Sequence, residues 1–219
     1  MTGSQEPAGE GVPFDTSRAH MARVYDFWLG GKDNFAADRA VAEQVAAAYP
    51  DVVLAVRAQR AFLARAVHFL VAQAGIRQFL DIGTGVPSAN NTHQVAQRAA
   101  PASRVVYVDN DPIVLGHARA LLSSSPEGAT AYINADLRDA PAILERAVGV
   151  LDFGQPVAVM LLGILQGIPA RTQADVCRFF AGLELIEPGI VQVHRWRPGT
   201  GDLGGGRNLA IYAGVGRKP

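Results

Sequence analysis

The sequence predicts an α/β fold: a three-layer sandwich of helices around a mostly parallel sheet. Three observations predict it. From residue 78 onward, short apolar runs alternate with helical stretches across short connections, which is the signature of βαβ units. The first run, "FLDIGTGVPS" at 79–88, ends in an acid and breaks into two glycines, as a buried strand does when it turns sharply toward a helix. Acids then recur at the ends of the following strands, where ligands of such sheets sit.

The elements follow in order. Residues 1–13 carry Gly, Pro, Ser and Glu with little to bury and are expected to form a mobile tail. A helix is expected over Thr16–Trp28, where Tyr25, Phe27 and Trp28 share a segment with Arg18, His20, Arg23 and Asp26; Gly30 and Gly31 end it. Helices over 36–49 and 52–74 follow, the second with Phe62, Ala66, Phe69 and Leu70 on one face and Gly75 as its stop. Strands are expected at 78–82, 104–109, 130–134 and 156–162, separated by helices at 90–100, 112–122 and 141–148. The organisation is thus a tail over 1–13, a helical N-terminal cap over 14–75 and an α/β core over 76–219.

Composition excludes several classes. The 20 basic and 20 acidic residues cancel, so no global field draws the chain to nucleic acid or to an anionic membrane. The opening "MTGSQEPAGEGVP" lacks the apolar segment of a secretory leader, and "PVAVMLLGIL" is half a membrane span. The single cysteine, Cys177, forms no internal disulfide, and the five histidines show no metal-ligand spacing. A cytoplasmic protein with a small-molecule substrate and no metal is expected; oligomeric state is not encoded legibly.

The strand ends carry the chemistry. Asp81 precedes Gly83 and Gly85, Asp109 closes "RVVYVD" and is followed by Asn110, and Asp136 follows "AYIN". Asp109 lies 24 positions beyond Gly85, near the separation of a carboxylate that accepts ribose hydroxyls, so a nucleoside is the expected ligand. A dinucleotide loop wants a third glycine, but that position is Ser88, preceded by Pro87. A carboxylate at Asp81 would repel pyrophosphate and suits a ligand with an ammonium group, as S-adenosylmethionine is. "GGKDN" at 30–34 lacks the spacing of a triphosphate loop.

Four stretches, "ARVYDFWLGGKDNFAADR" (22–39), "FLDIGTGVP", "VVYVDNDPIVL" (105–115) and "ADLRD" (135–139), resemble the bacterial S-adenosyl methyltransferase family once catalogued as a domain of unknown function. The resemblance runs from about Phe14 to Pro169 and resumes from Arg171. It implies a Rossmann-like class I methyltransferase fold with a helical cap, and S-adenosyl-L-methionine as cofactor.

Residue roles follow from the chemistry and agree with the resemblance. Gly83 and Gly85 would let the methionine part approach, and Asp81 would face its ammonium. Asp109 would hold the ribose diol beside Asn110, Asp136 would accept from the adenine amine, and Leu137 would cover the ring. The segment "YDFWLGGKDN" would lie over the cofactor, with Tyr25, Lys32 and Asn34 as contacts. Methyl transfer needs placement more than a base, so no catalytic residue is assigned, and His20, His93 and His194 are read as packing or surface residues.

The resemblance breaks after the fourth strand. Related sequences continue through a helix, a strand and another helix, whereas this chain passes from Pro169 directly to "RTQADVCRFF", with Gln166 and Gly167 where the family usually has His-Phe. The sheet is therefore expected to shrink to about six strands, with the segment 208–216 pairing to the edge of strand four. A helix is expected over 172–181, strand pieces at "LELI" and "GIVQVHRW", and a hairpin connection over 198–206. Methyl transfer to a small acceptor is the expected function. A shortened, silent cofactor binder is the alternative, and a nicotinamide dehydrogenase is disfavoured by Asp81 and Ser88.

Overall fold

The computed structural model of the chain describes residues 15–114, 116, 124–163, 177, 180–199, 209 and 211–217. The N-terminal lead, the Gln166–Gly167 pair, the Pro169–Arg171 junction, most of the helix expected over 172–181 and most of the connection over 198–206 lie outside them.

Three helices open the fold. Helix α1 spans Met21–Leu29 and starts later than the sequence suggests, because His20 is extended and serves as N-cap, with Nδ1 3.3 Å from the Ala22 N–H. Gly30 ends it in the left-handed region at φ 83°, its N–H returned to the Asp26 and Phe27 carbonyls. Val24 and Trp28, one turn apart, pack on Ala42 of α2 (Ala36–Ala48) and on Val52 and Val56 of α3 (Val52–Ala72). Helix α3 buries two stripes: Leu63, Val67 and Val71 face the sheet, while Ala55, Ala58, Phe62 and Ala66 face Val193, Trp196 and Leu209.

The sheet comprises β1 (Gln78–Ile82), β2 (Arg104–Asp109), β3 (Ala129–Asn134) and β4 (Val157–Met160), all parallel, in the order β3-β2-β1-β4. Helices α4 (Thr92–Ala99) and α5 (Ala140–Ala147) provide crossovers. Alternation along the strands separates two cores. Phe79, Val105, Tyr107 and Met160 meet α3 and α4, whereas Leu80, Val106, Val108 and Ile133 meet Ile143 and Ala147 of α5. The three layers are those expected. Phe79 is fully buried, so truncation to Ala would cost about 3–5 kcal/mol.

The chain steps outward from β1 to β2 and β3, then returns to the other side of β1 for β4. That reversal puts the topological switch point at the carboxyl end of β1, the site-forming position of such sheets.

The C-terminal pairing differs from expectation. Residues 212–213 (β7) pair antiparallel with 191–192 (β6), and 216–217 (β8) with 184–185 (β5). Among the described residues neither joins β4, and the parallel sheet has four strands rather than six. The physical reason is the apolar stripe of α3: Trp196 packs edge-on to Phe62 and Phe69, and Arg65 donates to the Trp196 and Val193 carbonyls, drawing the segment onto the helix. No helix among the described residues is long and apolar enough to cross a membrane.

Candidate functional site

The glycine turn is built across the end of β2. Gly83 and Gly85 adopt φ of 72° and 69°, a region that a side chain with a Cβ enters at a cost of about 1 kcal/mol or more. The N–H groups of Gly83 and Thr84 donate to the Val108 carbonyl at 2.7 and 3.3 Å. The N–H of Gly85 donates to Asp109 Oδ2 at 2.8 Å, while Asp109 Oδ1 accepts from Asp111 N at 3.0 Å. Past the turn, Ser88 N donates to Asn91 Oδ1, Asn91 N donates to Gln94 Oε1, and α4 begins.

Asp81 stands beside this turn, in register with Tyr107 and Met160 on the neighbouring strands. It is buried, and Thr92 Oγ1 donates to its Oδ2 at 2.6 Å. Burial pushes its carboxyl up to about 6, against the Thr92 hydrogen bond and the Arg60 charge that favour ionisation. Tyr107 closes the floor: its hydroxyl accepts the His93 N–H at 2.8 Å and burial pushes its ionisation up. His93 packs edge-on to the same ring, its own proton affinity lowered by burial, in keeping with a packing role.

Helix α1 lies against the turn. A Cβ built on Gly85 would lie 3.9 Å from the Ala22 Cβ of α1. His20 Nδ1 lies 3.0 Å from Asp111 Oδ2, and Arg23 Nε lies 3.3 Å from Asp38 Oδ1 and 3.9 Å from Asp111 Oδ2. Asp38, fully buried, also accepts the His20 and Phe35 N–H groups at 2.9 and 2.8 Å. One buried carboxylate therefore fixes the entries of both α1 and α2.

The structure brings Asp81, Gly83, Gly85 and Asp109 together at the carboxyl ends of β1 and β2, with Asn110 exposed beside Asp109. Asp136 lies two residues past β3. Its carboxylate accepts from the Arg138 backbone and guanidinium, which hold it down at about 2, and Leu137 beside it is 51% exposed. In the cap, Tyr25 is half-buried edge-on to Trp28, Lys32 is exposed, and Asn34 is buried with its amide donating to Asp26 Oδ2 and the Gly31 carbonyl. His194 is buried in a short 3₁₀ turn after β6. The sequence reading missed Arg60, Thr92, Asp38 and the role of Asp111. Only Asp111, in the repeat "DND", left a local signal.

The donor set decides what could bind. A phosphate cradle needs unspent N–H groups in the glycine turn, but those of residues 83, 84 and 85 are committed to Val108 and Asp109, and that of Ser88 to Asn91. What stands here instead is carboxylate: Asp81, and Asp109 with lone pairs left beyond the Gly85 and Asp111 N–H groups. These residues fit an adenosyl amino acid better than a dinucleotide.

Comparison with known proteins agrees. The model of the S-adenosyl methyltransferase family matches residues 7–170 and 166–219. The crystal structure of a DUF574 family protein from Streptomyces avermitilis superposes with a TM-score of 0.89 at 39% identity, covering 94% of this chain and 99% of that one. The crystal structure of a candidate methyltransferase from Thermobifida fusca gives 0.84 at 37% identity, covering 93% and 96%. None of the curated proteins matches the chain.

Proposed function

This chain belongs to the S-adenosyl methyltransferase family, and we propose that it methylates a small molecule in a crevice roofed by its own first helix. It is an S-adenosylmethionine-dependent methyltransferase. The cofactor, when bound, supplies a methyl group already activated on a sulfonium. The chain's task is placement and exclusion of water.

Within this reading Asp109 accepts the ribose hydroxyls while keeping the Gly85 N–H, so glycine turn and sugar share one carboxylate. Asp81 takes the ammonium, Asn110 and Asp136 border the adenine, and Leu137 supplies apolar cover. Gly83 and Gly85 leave room for the methionine part, and Tyr25, Lys32 and Asn34 belong to the cap that closes over it. Residues 14–75 act as this cap and 76–219 as the cofactor-binding core.

The observation that carries the small-acceptor reading is α1 seated on the glycine turn, with Ala22 against Gly85 and His20 against Asp111. A roof built from the chain itself leaves little access for a macromolecule, and the zero net charge offers a polyanion no attraction. The family match in two stretches that meet at 166–170 supports a missing segment after β4, which would give this chain its own acceptor wall. A cytoplasmic setting fits the exposed free thiol of Cys177.

The test is turnover. The purified chain is incubated with S-adenosylmethionine and separate panels of small molecules, proteins and RNA, and S-adenosylhomocysteine is measured by mass spectrometry. Product formation with small molecules alone is the expected result. Formation with protein or RNA would overturn the acceptor assignment.

A further inference from the structure

Arg60 lies on α3, one residue after Gln59, whose amide nitrogen would stand 3.1 Å from a Cβ built on Gly163. This turn of the helix therefore bridges the segment after β4 and the loop before α4. Arg60 Nη2 donates to the Ala89 and Asn90 carbonyls at 3.1 and 3.2 Å and lies 3.4 Å from Asn91 Oδ1. Among the described residues its hydrogen bonds all run through Nη2. Arg60 is half-buried and reaches Asn91, while Asp81 accepts from the adjoining Thr92, so the guanidinium and the carboxylate both approach the start of α4.

A cation and a buried carboxylate placed together beside a glycine turn are complementary to an α-amino acid, which carries both charges on one carbon. Asp81 alone would repel the carboxylate of the ligand whose ammonium it holds. Arg60 removes that conflict, and its planar fork suits a carboxylate.

Resting on the cofactor assignment above, we propose that Arg60 receives the carboxylate of the methionine moiety, forming with Asp81 a clamp for the zwitterionic end of the cofactor. The cap then contributes a binding residue as well as a roof.

The experiment is calorimetry with three ligands: S-adenosylhomocysteine, its decarboxylated analogue that keeps the amine, and 5′-methylthioadenosine, which has neither group. In the wild-type chain, loss of the carboxylate should weaken binding about 10- to 100-fold. In Arg60→Met the first two ligands should bind within about threefold of each other, 5′-methylthioadenosine should be unaffected, and Arg60→Lys should restore part of the discrimination. Wild-type indifference to the carboxylate, or full discrimination in Arg60→Met, overturns the proposal while the nucleoside assignment stands. Failure of the wild type to bind any of the three overturns both. If Arg60→Met does not fold, Arg60→Gln, which keeps donors for the Ala89 and Asn90 carbonyls without the charge, carries the same comparison.

Discussion

His20 Nδ1 stands 3.0 Å from Asp111 Oδ2, joining the start of the cap to the residue whose N–H supports Asp109. Nδ1 thus lies between the Asp111 carboxylate at 3.0 Å and the Ala22 N–H at 3.3 Å, nearer the carboxylate. The hydrogen bond with Asp111 raises the His20 pKa from the ordinary 6.5, overcoming burial. For Asp111, burial acts upward, but hydrogen bonds from His20 and the Ile113 N–H hold it below 3.8.

The signs set a pH window for this pair. The His20 contribution is complete below 6.5 and is lost as pH rises through its higher folded value. The Asp111 contribution is complete above 3.8 and is lost as pH falls through its lower folded value. Asp111→Asn should move the His20 titration midpoint down, as read by NMR of the imidazole resonances. An unchanged midpoint would contradict the pairing.

Asp81, ionised, costs the fold stability, and in the proposed function that charge holds the ammonium. Its folded pKa of about 6 exceeds the ordinary 3.8, so the fold is favoured below 3.8 and that advantage is lost as pH rises through 6. The difference corresponds to roughly 3 kcal/mol as an upper figure. Asp81→Asn should therefore raise thermal stability at pH 8, by about 1–3 kcal/mol, while weakening S-adenosylhomocysteine. In the wild type, affinity should fall as pH drops below about 6. Scanning calorimetry and titration calorimetry separate the two effects, and a loss of both stability and affinity would sink the assignment.

Asp109→Ala removes the expected ribose acceptor and leaves the Gly85 N–H without its partner. Cofactor affinity should fall by about 1–3 kcal/mol. Unchanged affinity would count against the ribose role.

Much of this was legible because it is local. The apolar runs at 78–82 and 104–109 set strand bounds that the structure reproduces, since each is buried on both faces and ends in a residue that must turn. Asp81, Gly83, Gly85 and Asp109 were legible for the same reason: strand ends of a parallel sheet converge. Arg60 and Asp38 were not, because each acts across more than one element, and a charged residue in an amphipathic helix looks alike whether it meets solvent or a distant loop. The C-terminal pairing was hidden for a related reason. The open edge of β4 argued for a strand beside it, but the aromatic stripe of α3 holds the described part of that segment elsewhere.

Gly31 tests the cap. A Cβ there would collide with the Asp26 carboxylate, whose Oδ2 accepts the Asp33 N–H and the Asn34 amide, each at 2.8 Å. Gly31→Ala should destabilise the fold by about 1–3 kcal/mol and expose residues 26–34 to limited proteolysis. Wild-type stability would contradict a cap ordered by Asp26.

The central claim is that carboxylates and a spent glycine turn select an adenosyl amino acid over a phosphate-bridged coenzyme. Titration calorimetry of the purified chain against S-adenosylhomocysteine and NAD, at equal concentrations, tests it most directly. Saturable one-site binding of S-adenosylhomocysteine with no heat from NAD is expected. Saturable binding of NAD with none of S-adenosylhomocysteine would contradict it.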